Sequence, residues 1–222
     1  MKLKPNHFIN QQGFKEVKRS NGRAYTIRNQ RDRFFFPDEW LAFIDAAKKK
    51  QKVTFNTMLN TGARINEARN IKVADIDLER KNIVLRITKR VVNRPGIQKE
   101  GKRKIRVITI STKFYRYLKG VIRAYKLSHE DYIPILSTPA ANIAMKKGLE
   151  RAGIKDYRMF STHNIRKTAE MWSLALDIDS FKVVKRFGHS REVALKHYLS
   201  SDIFSHEERG QIKDILGEDM YH

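Results

Sequence analysis

Four short segments hold the residue types from which a reactive site could be assembled: Thr61-Gly62-Ala63-Arg64-Ile65-Asn66-Glu67, Thr162-His163-Asn164-Ile165-Arg166, Phe187-Gly188-His189-Ser190 and Lys196-His197-Tyr198. An arginine fork donates paired hydrogen bonds to the oxygens of a phosphate or carboxylate, and a histidine can move a proton near neutral pH. A tyrosine hydroxyl that gives up its proton can attack an electrophile and form a covalent intermediate. Taken singly, each segment has a plainer reading. Arg64 could be a surface arginine, His163 and Arg166 a structural pair on one helix face, and Tyr198 a core or rim tyrosine.

Charge narrows the choice of partner. The chain has 222 residues, with 46 Lys plus Arg against 24 Asp plus Glu, for a net charge of +22. At 41% hydrophobic it can bury a core, which excludes charge-driven disorder. Such an excess makes a polyanion the default partner, because cations that displace condensed counterions gain binding free energy from their release. The excess is clustered: residues 1–36 carry about +7 and residues 86–106 about +8, whereas residues 202–222 carry about −4. The two basic stretches therefore suit docking on phosphates, and the tail suits packing on protein. The chain has no cysteine, which excludes disulfides and thiolate metal sites and suits a reducing interior. The start MKLKPNHFIN has no apolar signal core, and no run approaches the roughly eighteen apolar residues of a membrane helix, so an intracellular protein is expected.

Together the four segments resemble the tyrosine recombinase (phage-integrase-like) family, whose signature runs T-G-x-R-x-x-E, a hairpin Lys, H-x-x-R, G-H, and a Tyr nine residues after that histidine. Thr61 to Glu67, His163 with Arg166, Gly188-His189 and Tyr198 stand in that order and with that last spacing, and Asp75-Ile76-Asp77 is also similar. The resemblance covers roughly residues 34–204. It implies a site-specific DNA recombinase or integrase that cuts and rejoins duplex DNA through a 3′-phosphotyrosyl intermediate, in a mobile element or virus. By the same resemblance Arg64 and Arg166 would hold the non-bridging phosphate oxygens, and His163 would assist proton transfer from the tyrosine. His189 would donate to the phosphate, and Tyr198 would be the nucleophile. Lys99, in Lys99-Glu100-Gly101-Lys102, is taken as the general acid, with Lys89 as the alternative. Glu67 reads as a residue that orients the Arg64 helix, or as a surface ion pair. The chemistry implied uses neither metal nor ATP, no cofactor is expected, and no metal-ligand cluster is visible in the sequence.

These residues need elements to hold them. Pro37, Asp38 and Glu39 open a helix with Trp40, Leu41, Phe43, Ile44 and Ala47 at helical spacing, and the folded domain is expected to begin there. A helix over Thr54–Asn60 ends at Gly62, and Arg64–Asn70 starts another. Asn82–Thr88 and Lys104–Ile110 alternate β-branched with basic residues and predict a hairpin with a long basic loop. Helices are predicted over 112–127, 139–151, 162–176, 179–187 and 191–199, with one more in the tail. The expected fold is α+β and mainly α, a tyrosine-recombinase-like catalytic fold with one small antiparallel sheet. Residues 1–36 form a basic arm, with a short strand pair near Ala24–Ile27, and residues 37–222 form the catalytic domain, whose tail spans about 202–222.

The family pattern usually places a helical DNA-clamping domain of about a hundred residues ahead of this one, so the chain resembles the minimal members or is a fragment. The resemblance further implies a homotetramer at synapsis on double-stranded DNA from a chain that can be monomeric in solution, with the tail packed on a neighbour or on its own domain. A cytoplasmic, nucleoid-associated location is expected, without membrane. Two rival readings remain at this level: relaxation of DNA in the manner of a type IB topoisomerase, and a non-catalytic architectural DNA-binding protein.

Overall fold

The computed structural model describes residues 7–11, 14–19, 22–27, 32–77, 79–87, 104–188 and 203–220. The helix expected over 191–199 lies outside these residues, as do Lys89, Lys99, His189 and Tyr198.

Most of the described chain is helical. Helix α1 (Pro37–Asp45) begins at a proline whose missing N–H costs nothing in a first turn, and Glu39 reaches back to accept the Phe36 amide at 3.0 Å. Phe34, Phe35 and Phe36, just ahead of it, are at most 1% exposed. Phe35 packs on Trp40, Phe43 and Phe160 at centroid distances of 5.2, 5.2 and 4.6 Å, so this aromatic cluster joins the chain entry to the domain core. Helix α2 (Lys49–Thr61) closes at Gly62, whose φ of 63° is left-handed. Then come the short α3 (Ile65–Ala68), α4 (Thr112–Ala124) and α5 (Thr138–Arg151). Ser111 and Ser137 cap α4 and α5 through their hydroxyls.

The centre of the domain is α6 (Thr162–Ala175), on which every residue except His163 is buried. Such a helix must satisfy its own polar side chains. Thr168 and Ser173 do so by donating to the carbonyls four residues back, both at 2.7 Å. Helices α2, α5, α7 (Ser180–Phe187) and α8 (His206–Leu216) pack around it. Asp179 caps α7 by accepting from the amides of Phe181 and Lys182, and Gly188 ends it with φ 63°. Among the described residues no helix is long and apolar enough to cross a membrane.

Among the described residues, two three-stranded antiparallel sheets accompany the helices. In the first, β1 (His7–Gln11), β2 (Phe14–Lys18) and β3 (Ala24–Ile27) follow in sequence order. The sequence pattern foresaw one strand pair here; β1 extends it because its backbone completes the open edge of β2. Val17 and Ile27 join the main core, and Arg19 donates at 2.8 Å to both Asp38 on α1 and Glu208 on α8. The second sheet is β4 (Ile76–Asp77), β5 (Asn82–Ile87) and β6 (Lys104–Thr109), the hairpin that the alternation predicted. Register sets Leu85 opposite Arg106 and Val84 opposite Val107. Ile83, Leu85 and Ile108 face the core, whereas Ile105 and Val107 on the other face are 61% and 62% exposed.

Helix α8 docks on its own domain, against α1 and α6, with Ile212 and Leu216 buried. Ser205 and Glu208 form a reciprocal cap at its start. The Leu216 carbonyl accepts from Ser111 at 2.5 Å, and the Asp219 carboxylate takes the first amide of α4, Thr112, at 2.9 Å. An acidic tail is well placed at that helix start, where the peptide dipole favours negative charge.

Candidate active site

The motif segments that the structure describes meet around one carboxylate. Gly62 turns the chain out of α2, and Arg64 becomes the residue that precedes α3. Glu67, three positions on, folds back to accept the Arg64 amide at 3.0 Å and the Arg64 guanidinium at 2.9 Å. This is the local geometry of a helix start with an acid at its third position. Glu67 is only 6% exposed, so the orienting role foreseen for it holds and the surface ion pair does not.

Two further arginines reach the same carboxylate from distant parts of the chain. Arg106, on the inward face of β6, donates to Glu67 Oε2 at 2.6 Å and to the Arg186 carbonyl at 2.8 Å. Arg166, from α6, stands 4.0 Å from Glu67 Oε2. Its guanidinium donates to the Gly62 carbonyl at 2.6 Å and to the Phe187 carbonyl, and it lies 5.4 Å from the centre of the Phe187 ring. Arg186 completes the frame by donating to the carbonyls of Thr109 at 2.8 Å and Asn60 at 2.6 Å. The end of α2, the start of α3, β6, α6 and the end of α7 are thereby tied into one rigid seat.

The seat is electropositive. Among the described residues three guanidiniums surround the Glu67 carboxylate, with the buried Glu170 also acting on Arg166, and burial strengthens each interaction by excluding water. Burial works against the charge of Glu67, but the Arg64 amide and the positive charges of Arg106, Arg64 and Arg166 outweigh it and hold the carboxyl below its ordinary range. Burial, with Arg64 and Arg106 adding like charge, draws Arg166 down to about 10, so it remains protonated at neutral pH. Burial also lowers Arg106, and Glu67 counters it. An anion entering this seat would relieve the repulsion among the arginines.

The two expected phosphate-binding arginines are placed differently. The Arg64 side chain is 50% exposed and spends one terminal nitrogen on Glu67, so its fork keeps further donors toward solvent. Arg166 is 2% exposed, and both terminal nitrogens are turned onto backbone carbonyls. His163, in the first turn of α6, is exposed, one turn from Arg166. Asp75 of the similar Asp-Ile-Asp stretch is buried and accepts from the Lys72 amide and from Arg86, which gives it a structural place. Sequence reasoning placed Arg106 among general phosphate contacts and passed over Arg186. The signal for Arg106 was present: it shares strand parity with the apolar Ile108 and Ile110, so it had to point inward.

Residues 33–203 match the phage integrase family. The chain belongs to that family. Its fold is that of solved recombinases. XerA recombinase is similar at 18% identity and TM-score 0.58, over 82% of this chain and 64% of its own. The Tn1549 transposon integrase in complex with transposon right end DNA is similar at 16% identity and TM-score 0.56, over 82% and 65%. XerH site-specific recombinase bound to difH substrate is similar at 16% identity and TM-score 0.54, over 82% and 56%. This chain thus spans less than two thirds of the length of each of these relatives. No curated protein matches it. Among the described residues of this integrase-family chain, no group of three or more His, Cys, Asp or Glu is placed to hold a metal ion.

Proposed function

We propose that this phage integrase family chain is a site-specific recombinase that cuts and rejoins double-stranded DNA. The observation that carries the reading is the seat itself: Arg64 and Arg166, far apart in sequence, converge on Glu67 beside the chain end that leads into Gly188-His189. In the reaction the Tyr198 oxygen attacks the scissile phosphorus and the bond to the 5′ oxygen breaks, which leaves a 3′-phosphotyrosyl link. The tyrosine proton passes through His163, and Lys99, or Lys89, protonates the departing 5′ oxygen. Arg64, Arg166 and His189 stabilise the negative charge that grows on the non-bridging oxygens. Because the link keeps the free energy of the diester, a second strand's 5′ hydroxyl reverses the step without ATP.

Arg64 is the arginine open to an incoming phosphate, and Arg166 joins it when its bonds to the Gly62 and Phe187 carbonyls are exchanged for phosphate oxygens. Basic residues of the hairpin and of the N-terminal stretch, other than the enclosed Arg19, Arg33 and Arg106, supply affinity for the DNA backbone and its salt dependence. Synapsis assembles four copies on two sites, in the nucleoid of the cell that carries the element. The test is a nicked suicide duplex that traps the covalent intermediate. The unmodified chain forms a denaturant-resistant complex and Tyr198→Phe forms none; equal trapping by both overturns the assignment. Relaxation of supercoiled DNA without strand exchange between two sites would make it a topoisomerase instead.

A further inference from the structure

Arg106 stands apart from the other basic residues of its hairpin. Its side chain is 9% exposed, whereas Arg86 on the neighbouring strand is 58% exposed and pairs with Asp75. Unlike the still more enclosed Arg166, whose terminal nitrogens donate to neutral carbonyls, Arg106 is committed to a carboxylate that competes with any phosphate. What it touches is the machinery: one terminal nitrogen on the Glu67 carboxylate, the other on the Arg186 carbonyl at the end of α7. Its Cδ and one terminal nitrogen also lie 3.5 Å from the position that a side chain at Gly188 would occupy, so it packs directly under the turn that leads to His189.

We infer that Arg106 is a positioning residue for strand cleavage, which bridges the Arg64–Glu67 pair to the end of α7 and so sets the distance between the two halves of the phosphate seat. The inference rests on the recombinase reading of that seat.

The geometry gives the bridge a specific task. Glu67 Oε2 sits 2.6 Å from Arg106 and 4.0 Å from Arg166. Without Arg106 the carboxylate is drawn toward Arg166, where it would neutralise one phosphate ligand and loosen its hold on the other. The carbonyl of Arg186 would lose its donor at the same time, and the turn at Gly188 would lose the side chain beneath it. Stability alone does not require an ion here, because a buried ion pair is commonly no better than an apolar group of similar volume. The fork matters because a planar guanidinium can bond a carboxylate and a carbonyl at a fixed separation, which a lysine ammonium cannot do.

The experiment uses the full chain with Arg106→Met, which keeps length without charge, and Arg106→Lys, which keeps charge without the fork. Single-turnover cleavage of the suicide duplex is measured beside DNA affinity across a salt series. Both variants should cleave about 10- to 100-fold more slowly, the range for lost support of a reactive group. Affinity should stay within about twofold and the slope of log Kd against log salt should not change, whereas loss of a phosphate contact would reduce that slope by about one. A reduced slope, or Arg106→Lys cleaving like the unmodified chain, overturns the inference. Hydrogen exchange on the DNA-free protein separates this from failure of the recombinase reading. The amides of Ala68 and Gly188, bonded to the carbonyls of Arg64 and Val184, should lose protection in Arg106→Met whether or not the chain cuts DNA. Unchanged protection at both overturns the bridge by itself; absence of cleavage by the unmodified chain, with that protection lost in the variant, removes only the recombinase reading.

Discussion

Gly62 is the position where one added methyl group should do the most damage. Its φ of 63° and ψ of 16° lie in the left-handed region, and an alanine there is strained by about 1 kcal/mol before any contact is considered. The new Cβ would stand 3.0 Å from Phe187 Cδ1, 3.1 Å from Cζ and closer still to Cε1. The ring cannot step aside, because Phe187 is fully buried and its carbonyl is held by Arg166. Overpacking of such a core adds about 1–3 kcal/mol. Gly62→Ala should therefore destabilise the fold by about 2–4 kcal/mol, a large part of the roughly 5–15 kcal/mol typical of a domain. The assay is the urea midpoint at constant m-value, compared with the unmodified chain. Gly120→Ala is the control: it lies within α4, nothing approaches its Cβ position within 4 Å, and the substitution should stabilise by about 0.5–1 kcal/mol. If Gly62→Ala unfolds within about 0.5 kcal/mol of the unmodified chain, against the 1–3 kcal/mol expected of overpacking, the close approach of α2 and α7 is not as described. At temperatures where the variant is still folded, covalent trapping should also fall, because the strain falls on Phe187, whose backbone carbonyl orients Arg166.

Two further outcomes follow from buried charge. Arg19→Met removes the cation shared by Asp38 and Glu208, which are 2% and 3% exposed; it should cost about 3–5 kcal/mol in chemical unfolding and release the first sheet from α1 and α8. Glu67 has a folded pKa below its ordinary 4.5, so its contribution is fully present above about pH 4.5 and is lost as pH falls through the lower folded value. The acid-induced loss of stability below that pH should be shallower in Glu67→Gln, and identical slopes between pH 3 and 6 would refute the linkage.

Local features were legible because their causes are local. The left-handed stop at Gly62, the helix over 179–187 and the strand parity of β5 and β6 all depend on residues within a few positions of each other. The burial of Phe34, Phe35 and Phe36 was harder to read, since a run of three aromatic residues has no helical period and its partners Phe160 and Phe204 lie far along the chain. Arg19 was counted with the arm's phosphate-docking charge because nothing near it in sequence announces Glu208, 189 residues away.

From its sequence alone this protein could be expected to have a polyanion as partner, a mainly helical domain and an ordered set of motif residues that resembles the integrase family. Residue types and short spacings carry that information. Only the tertiary structure decided how the arginines divide their work. Arg64 is left half open, Arg166 is turned onto two backbone carbonyls, and Arg106 is drawn 39 positions across the chain to the carboxylate they share. Net charge treats these three cations as equal. Burial distinguishes them, because a guanidinium taken out of water must find fixed acceptors, and where the fold supplies those acceptors determines which arginine remains open to solvent.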